Sequence, residues 1–312
     1  MSNFPLKFIV LFLLLGCASA KKVNFDDYIF KTKKEKSTYI TSYNNCLKLW
    51  GIPYQEENIK TRYGTAHIII TGPENGKKLV LLHGMDASST MWYPNIKAFS
   101  KKHRVYTIDF LMEPNKSTLT SKSLSKEEIV IWYNDIFNYY KLKDFDIVAA
   151  SRGGWIATLL ATQKYNSINK IVLLSPAQTF EFIDDVRKTS SALLLKLFPS
   201  EGKFKKTLKT FSTHPEKIEP IYKKQFYLAN KYAKSNSDML QMLPFSDEEL
   251  KSINNPVLVL IGDTDIINSE KSLERAQKYL VNSKTQIIKD AGHFLSMDQS
   301  KVVNEAILSF IE

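Results

Sequence analysis

The stretch Ala149-Ala150-Ser151-Arg152-Gly153-Gly154-Trp155 stands between two different patterns. Before it runs Asp146-Ile147-Val148-Ala149-Ala150, apolar and strand-like. After it runs Trp155-Ile156-Ala157-Thr158-Leu159-Leu160-Ala161, which reads as a helix. A serine between strand and helix, with small residues on both sides, marks a nucleophile on a sharp turn. Small neighbours are needed because such a turn is strained and the chain passes close to itself. The usual pattern is G-x-S-x-G, and Ala149 stands at its first glycine. A plain helix start with Ser151 as capping residue is the competing reading.

Strand-like apolar runs recur at residues 67–70, 79–82, 105–108, 147–150, 171–174, 257–261 and 286–288. From the second onward they are mostly continuous, as expected of strands buried on both faces of a parallel sheet. Helical patterns fall at 37–50, 126–140, 270–280 and 301–310. The alternation predicts an α/β fold with a doubly wound, mostly parallel sheet. Gly72-Pro73-Glu74-Asn75-Gly76 reads as a hairpin turn, so the sheet is expected to open antiparallel. Residues 178–249 interrupt the alternation with helical runs at 180–198, 203–212 and 215–233. They are assigned to a helical cap over the strand ends, where ligands bind in such sheets. The core is then 37–177 and 250–312.

The chain has 312 residues, enough for one large α/β domain or two small ones. Its formal net charge is +11, with lysine-rich patches near the N-terminus and between residues 196 and 234. No nucleic-acid motif accompanies them, so they read as solvated faces and no nucleic-acid partner is expected. Residues 1–20 form an export signal: Lys7, the apolar run 8–15, then Gly16-Cys17-Ala18-Ser19-Ala20. The run is shorter than the ~20 residues that span a bilayer. Ala18-Ser19-Ala20 suits an ordinary signal peptidase, whereas Leu14-Leu15-Gly16-Cys17 resembles a bacterial lipobox in which Cys17 is lipidated. Either route places the protein in the cell envelope or outside the cell, with membrane contact only through a lipid on Cys17. Residues 21–36 read as a polar tether. Cys46 is then without a partner thiol, and no internal disulfide is expected.

Four pieces stand at strand ends: His83-Gly84-Met85-Asp86, the Ser151 turn, Gly262-Asp263-Thr264-Asp265 and Ala291-Gly292-His293-Phe294. Serine, acid and histidine in that order, with a His-Gly loop upstream, is the α/β-hydrolase order. Over residues 37–312 the sequence resembles the α/β-hydrolase superfamily, and within it small bacterial esterase-like members with a short helical cap. Leu81-Leu82-His83-Gly84, Leu173-Leu174-Ser175-Pro176-Ala177 and Ala291-Gly292-His293-Phe294-Leu295-Ser296-Met297 carry the resemblance.

The resemblance implies Ser151 as nucleophile, His293 as base and an acid after the penultimate strand. The family pattern G-x-x-D points to Asp265, and Asp263 is read as supporting the turn. The N–H groups of Met85 and Arg152 are expected to form the oxyanion hole. Trp92, Trp155 and Phe294 are candidate substrate contacts, and His83 a brace of its loop. Two departures stand out. The Arg152 side chain either faces the pocket, favouring an anionic substrate, or points to solvent or pairs with an acid of the cap. The loop 109–117 lacks the glycines that many relatives have there.

The expected activity is cleavage of a carboxylic ester, or an amide or thioester, through an acyl-enzyme on Ser151, with no cofactor and no metal. C–C bond hydrolysis or haloperoxidase chemistry on the same residues is the alternative, as is a ligand-binding protein that has lost turnover.

Overall fold

A computed structural model describes residues 27–119, 123–163, 167–183, 186–234 and 242–312. The apolar N-terminal run and Cys17 lie outside the described residues. The sheet is built from β1 (Tyr54–Thr61), β2 (Gly64–Thr71), β3 (Lys77–Leu82), β4 (His103–Asp109), β5 (Thr118–Leu119), β6 (Phe145–Ala150), β7 (Ile168–Leu174), β8 (Val257–Gly262) and β9 (Ser283–Ile288). Their spatial order is β1-β2-β4-β3-β6-β7-β8-β9, with β5 added to β2. From β4 across to β9 neighbours run parallel. The β1–β2 and β2–β4 pairs are antiparallel.

The sheet does open antiparallel, but residues 72–76 are not a hairpin. β2 pairs with β4, His67 opposite Asp109, and β3 lies beyond β4. β3 ends in a run of four buried residues and needs a neighbour on each edge, which β4 and β6 supply. β1 escapes the sequence pattern because it is a polar edge strand, with Ile59 its one buried residue.

The helices are α1 (Lys33–Leu47), α2 (Ile96–Phe99), α3 (Lys126–Tyr139), α4 (Arg152–Thr162), α5 (Ser190–Leu197), α6 (Glu201–Phe211), α7 (Pro220–Tyr232), α8 (Asp247–Lys251), α9 (Glu270–Tyr279), α10 (Leu295–Asp298) and α11 (Ser300–Ile311). α3, α4 and α9 cover one face of the sheet, with Val80, Leu82, Ile147 and Ala149. α1, α2 and α11 cover the other, with Leu79, Leu81, Val148 and Ala150. Alternate residues of one strand thus feed opposite cores. α5, α6 and α7 lie between β7 and β8 in the chain and add Leu195, Phe204, Leu208 and Leu228 to the second core.

Residues 27–36 are not a tether. Ile29 and Phe30 are buried, and Phe30 bridges Ala233 at the end of α7. Lys234 N–H donates to Ile29 O at 2.7 Å. α1 begins at Lys33, capped by Thr32, ahead of the expected start at 37. The lysine-rich composition of 31–36 masks a helix start, because its first turn is solvated while Tyr39, Tyr43 and Leu47 carry the burial.

Candidate active site

β6 ends at Ala150, and Ser151 takes φ 50° and ψ −116° before α4 begins. A non-glycine residue in that region is strained and must be held by its surroundings. Ser151 N–H donates to Leu174 O at 2.9 Å, and Ser151 O accepts from Gly154 N–H at 2.9 Å and Ala177 N–H at 3.2 Å. A β carbon at Gly153 would lie 2.4 Å from Leu82 O, so only glycine lets α4 start this close to β3. Ala149 is fully buried in β6 between Leu82 and Leu173, and its methyl group fits the sheet. Ser151 is the residue before α4, yet its side chain makes no capping hydrogen bond. The hydroxyl is turned to the strand ends.

There it meets His293. Ser151 Oγ lies 2.9 Å from His293 Nε2, and His293 Nδ1 lies 3.0 Å from Asp265 Oδ1. The Asp265 carboxylate cannot donate once ionised, so Nδ1–H is the donor and Nε2 accepts from the serine hydroxyl. Asp265 follows β8 and its side chain is fully buried. It also accepts from Ile267 N–H at 2.8 Å and Asn268 Nδ2 at 3.0 Å. Burial disfavours its charged form, but the His293 ring and these donors hold the carboxyl below the usual carboxylate range. Asp263 is exposed and accepts from Ala291 N–H at 3.1 Å, which fastens the β8 turn to the β9 loop.

On the opposite side of the serine, a β carbon at Gly84 would lie 3.3 Å from Ser151 Cβ. The His83–Met85 segment therefore passes in contact with Ser151, and Met85 follows at once. His83 is buried; its Nε2 accepts from Phe110 N–H at 2.9 Å, and Nδ1 lies 2.9 Å from Gly84 O. The ring is thus a neutral tautomer protonated at Nδ1, which burial favours. It braces the loop. Arg152 N–H opens α4, where amide donors have no partner within the helix.

The Arg152 side chain does not face outward. Arg152 Nη1 donates to Glu113 Oε1 at 2.7 Å, with both side chains buried, and its guanidinium lies over Phe110. Glu113 Oε2 accepts from Asp86 N–H at 2.8 Å, and Asp86 Oδ1 accepts from Lys196 of α5 at 2.9 Å. Burial pushes the Glu113 carboxyl up, and the Arg152 guanidinium acts against it. The loop that lacks glycines is built instead on Asp109. Asp109 accepts from Tyr43 Oη, Ser89 N–H and Lys116 N–H, and its carbonyl from Ser117 Oγ.

Trp92 and Trp155 are core residues rather than substrate contacts. Trp92 is fully buried in the core that α1, α2 and α11 cover, and Trp155 packs on Phe245 and donates from Nε1 to Leu243 O at 3.0 Å. Large aromatic surface is spent on the cores here. Phe294 is half-buried beside His293, in ring contact with Phe211 and Phe226 of the helices between β7 and β8. The Phe211 ring also meets the His293 ring edge-on at 5.6 Å. Sequence reading missed Glu113, Phe211 and Asp298. Asp298 accepts from Gly292 N–H, directly before His293, at 2.9 Å. An arginine beside a nucleophile does ask for a buried acid, and that was the available signal for Glu113. Among the described residues no cluster of three or more His, Cys, Asp or Glu could hold a metal.

An α/β hydrolase fold family model matches residues 77–300. Uncharacterized carboxylesterase nap of Bacillus subtilis is 33% identical over 280 residues, 87% of this chain and 91% of that protein. Carboxylesterase YbfK of the same organism is 29% identical over 293 residues, 92% of this chain and 97% of that one. The crystal structure of naproxen esterase (carboxylesterase NP) from Bacillus subtilis superposes with a TM-score of 0.84 at 31% identity, covering 90% of this chain and all of that one.

Proposed function

The chain belongs to the α/β hydrolase fold family, and from that premise we propose that it cleaves small-molecule carboxylic esters with Ser151 as the nucleophile. The hydrogen-bonded series Asp265–His293–Ser151 carries the reading. A serine hydroxyl is a poor nucleophile at neutral pH and needs an adjacent base. His293 Nε2 takes the Ser151 proton as Oγ attacks the ester carbonyl, then returns it to the departing alkoxide. Asp265 holds the ring in the required tautomer and stabilises the imidazolium. The Met85 and Arg152 N–H groups receive the oxyanion; losing one such donor costs on the order of 10²–10³ in rate. Water then repeats the sequence on the acyl-enzyme. Because Glu113 neutralises the Arg152 guanidinium, that side chain offers the reacting centre no free charge, and a neutral ester suits it better than a carboxylate-bearing one.

The experiment is covalent labelling by a fluorophosphonate, with hydrolysis of p-nitrophenyl esters in parallel. Labelling at Ser151 and loss of turnover in Ser151→Ala are expected. A folded protein that is not labelled, or a Ser151→Ala variant with the wild-type rate, sinks the proposal. Export belongs to the same proposal, supported by the apolar run 8–15 and by Leu14-Leu15-Gly16-Cys17. Mass spectrometry of the mature N-terminus is expected to show a lipidated Cys17; an unmodified chain beginning at Lys21 rules the lipid out.

A further inference from the structure

The helices between β7 and β8 present a surface that ester cleavage does not use. On α5 and just after it, Leu193 is 60% exposed, Leu194 44%, Leu197 52% and Phe198 62%. Their spacing sets them on one side of the helix, whereas Ser191 and Leu195 are buried. Exposed apolar residues are normally scattered, and a contiguous strip marks an interaction surface. From Ser190 to Tyr232 the sequence carries nine lysines and three glutamates, a formal +6 that is over half of the whole chain's +11.

One of these lysines reaches the strip itself. Lys203 Nζ donates to Phe198 O at 2.9 Å and lies 5.3 Å from the centre of the Phe198 ring. α6 packs on α5 through Thr207 Oγ1, which donates to Ser191 O at 3.0 Å, while Lys205, Lys206 and Lys209 stay exposed. The strip is leucine and phenylalanine alone, with no side-chain donor or acceptor to orient a protein partner. Lipid tails require none, and a lysine border is attracted to anionic headgroups. Lysine stems also lie along apolar surface while their ammonium groups stay in water.

We propose that the α5–α6 hairpin docks on an anionic lipid surface, with Leu193, Leu194, Leu197 and Phe198 entering the acyl boundary and the α6 lysines meeting the headgroups. The contact is peripheral, since among the described residues no helix is long and apolar enough to cross a membrane. It does not depend on the esterase reading, because docking needs no turnover. It also reaches the site: α5 supplies Lys196 to Asp86, and α6 ends at Phe211 against His293.

The test uses the full chain with Leu197→Cys in a Cys17→Ser background, labelled with the environment-sensitive fluorophore NBD. Cys46 is buried. With vesicles containing phosphatidylglycerol the emission is expected to rise several-fold, and about 1 M salt is expected to reverse much of the rise. Adding Leu193→Asp and Phe198→Asp removes the rise without changing Tm, since both side chains are exposed. No rise with anionic vesicles overturns the proposal, even if the N-terminal run holds the protein on them. So does an equal rise on phosphatidylcholine alone, or a concentration-dependent rise without lipid, which assigns the strip to a second copy of this chain.

Discussion

Glu113 and Arg152 form a 2.7 Å ion pair with both side chains buried, directly beside the turn that carries Ser151. The second Glu113 oxygen takes the Asp86 N–H at 2.8 Å. One carboxylate therefore ties the segment after His83-Gly84 to the first residue of α4. Those two segments are the ones whose amides flank the serine. A buried pair is costly to break from one side, because the remaining charge stays desolvated.

Glu113→Ala leaves the Arg152 guanidinium without its partner and the Asp86 N–H without its acceptor. A stability loss of about 3–5 kcal/mol is expected, together with a fall in kcat. The double change Glu113→Leu with Arg152→Met is expected to recover most of the stability, since an apolar pair of similar volume replaces two desolvated charges. Thermal unfolding of the three proteins checks this, and a wild-type Tm in Glu113→Ala contradicts it.

Asp263 and Asp265 are two residues apart and have different work. Asp265 is buried against His293 Nδ1, whereas Asp263 is exposed and accepts from Ala291 N–H. Asp265→Asn presents an amide to Nδ1 and favours the wrong imidazole tautomer, so kcat is expected to drop by about 10⁴. Asp263→Asn keeps an acceptor for the turn and is expected to retain most of kcat. Equal losses in the two variants contradict the assignment.

Much of the site was legible because it depends on local rules. Ser151, Asp265 and His293 each follow a strand, and strands β3, β6, β7 and β8 are apolar runs that read directly. What could not be read depends on contacts distant in sequence. Nothing in Gly72–Gly76 says that β2 will pair with β4 rather than β3, because register across non-adjacent strands is a tertiary choice. Trp92 and Trp155 stand near the chemistry in sequence, but what buries them comes from distant elements: Trp92 lies in the core that α1 and α11 cover, and Trp155 packs on Phe245. Glu113 looks like a loop acid until Arg152 lies against it. Residues 27–36 read as a tether by composition alone, and the partner that orders them, the end of α7, is some two hundred residues away.

The pH response of stability follows from Asp265. Its folded-state value lies below its ordinary one, so its contribution is fully present above the ordinary carboxylate value of about 3.9 and is lost as pH falls through the lower folded value. Wild type is therefore expected to be more stable than Asp265→Asn at neutral pH, with the difference narrowing below about pH 4. Urea unfolding at several pH values checks the sign. A difference that widens on acidification contradicts the pairing.

Asp298 makes the last prediction, because it joins His293's loop to the segment after α6. Its carboxylate accepts from Gly292 N–H at 2.9 Å, Thr213 N–H at 3.0 Å, His214 N–H at 3.3 Å and the Ser212 hydroxyl. Phe294 N–H adds a bond to Phe211 O at 3.0 Å. A single buried acid thus satisfies donors from both segments. Asp298→Ala leaves them without it, at about 1–3 kcal/mol for each donor that cannot reach water. His293 then loses the support directly before it, and kcat is expected to fall while Ser151 and Asp265 are untouched. Hydrogen exchange is the discriminating measurement. Gly292 and Thr213 amides should exchange faster together in Asp298→Ala, and Asp298→Asn, which keeps one acceptor oxygen, should show a smaller effect on both. Faster exchange at one segment with the other unchanged contradicts the coupling.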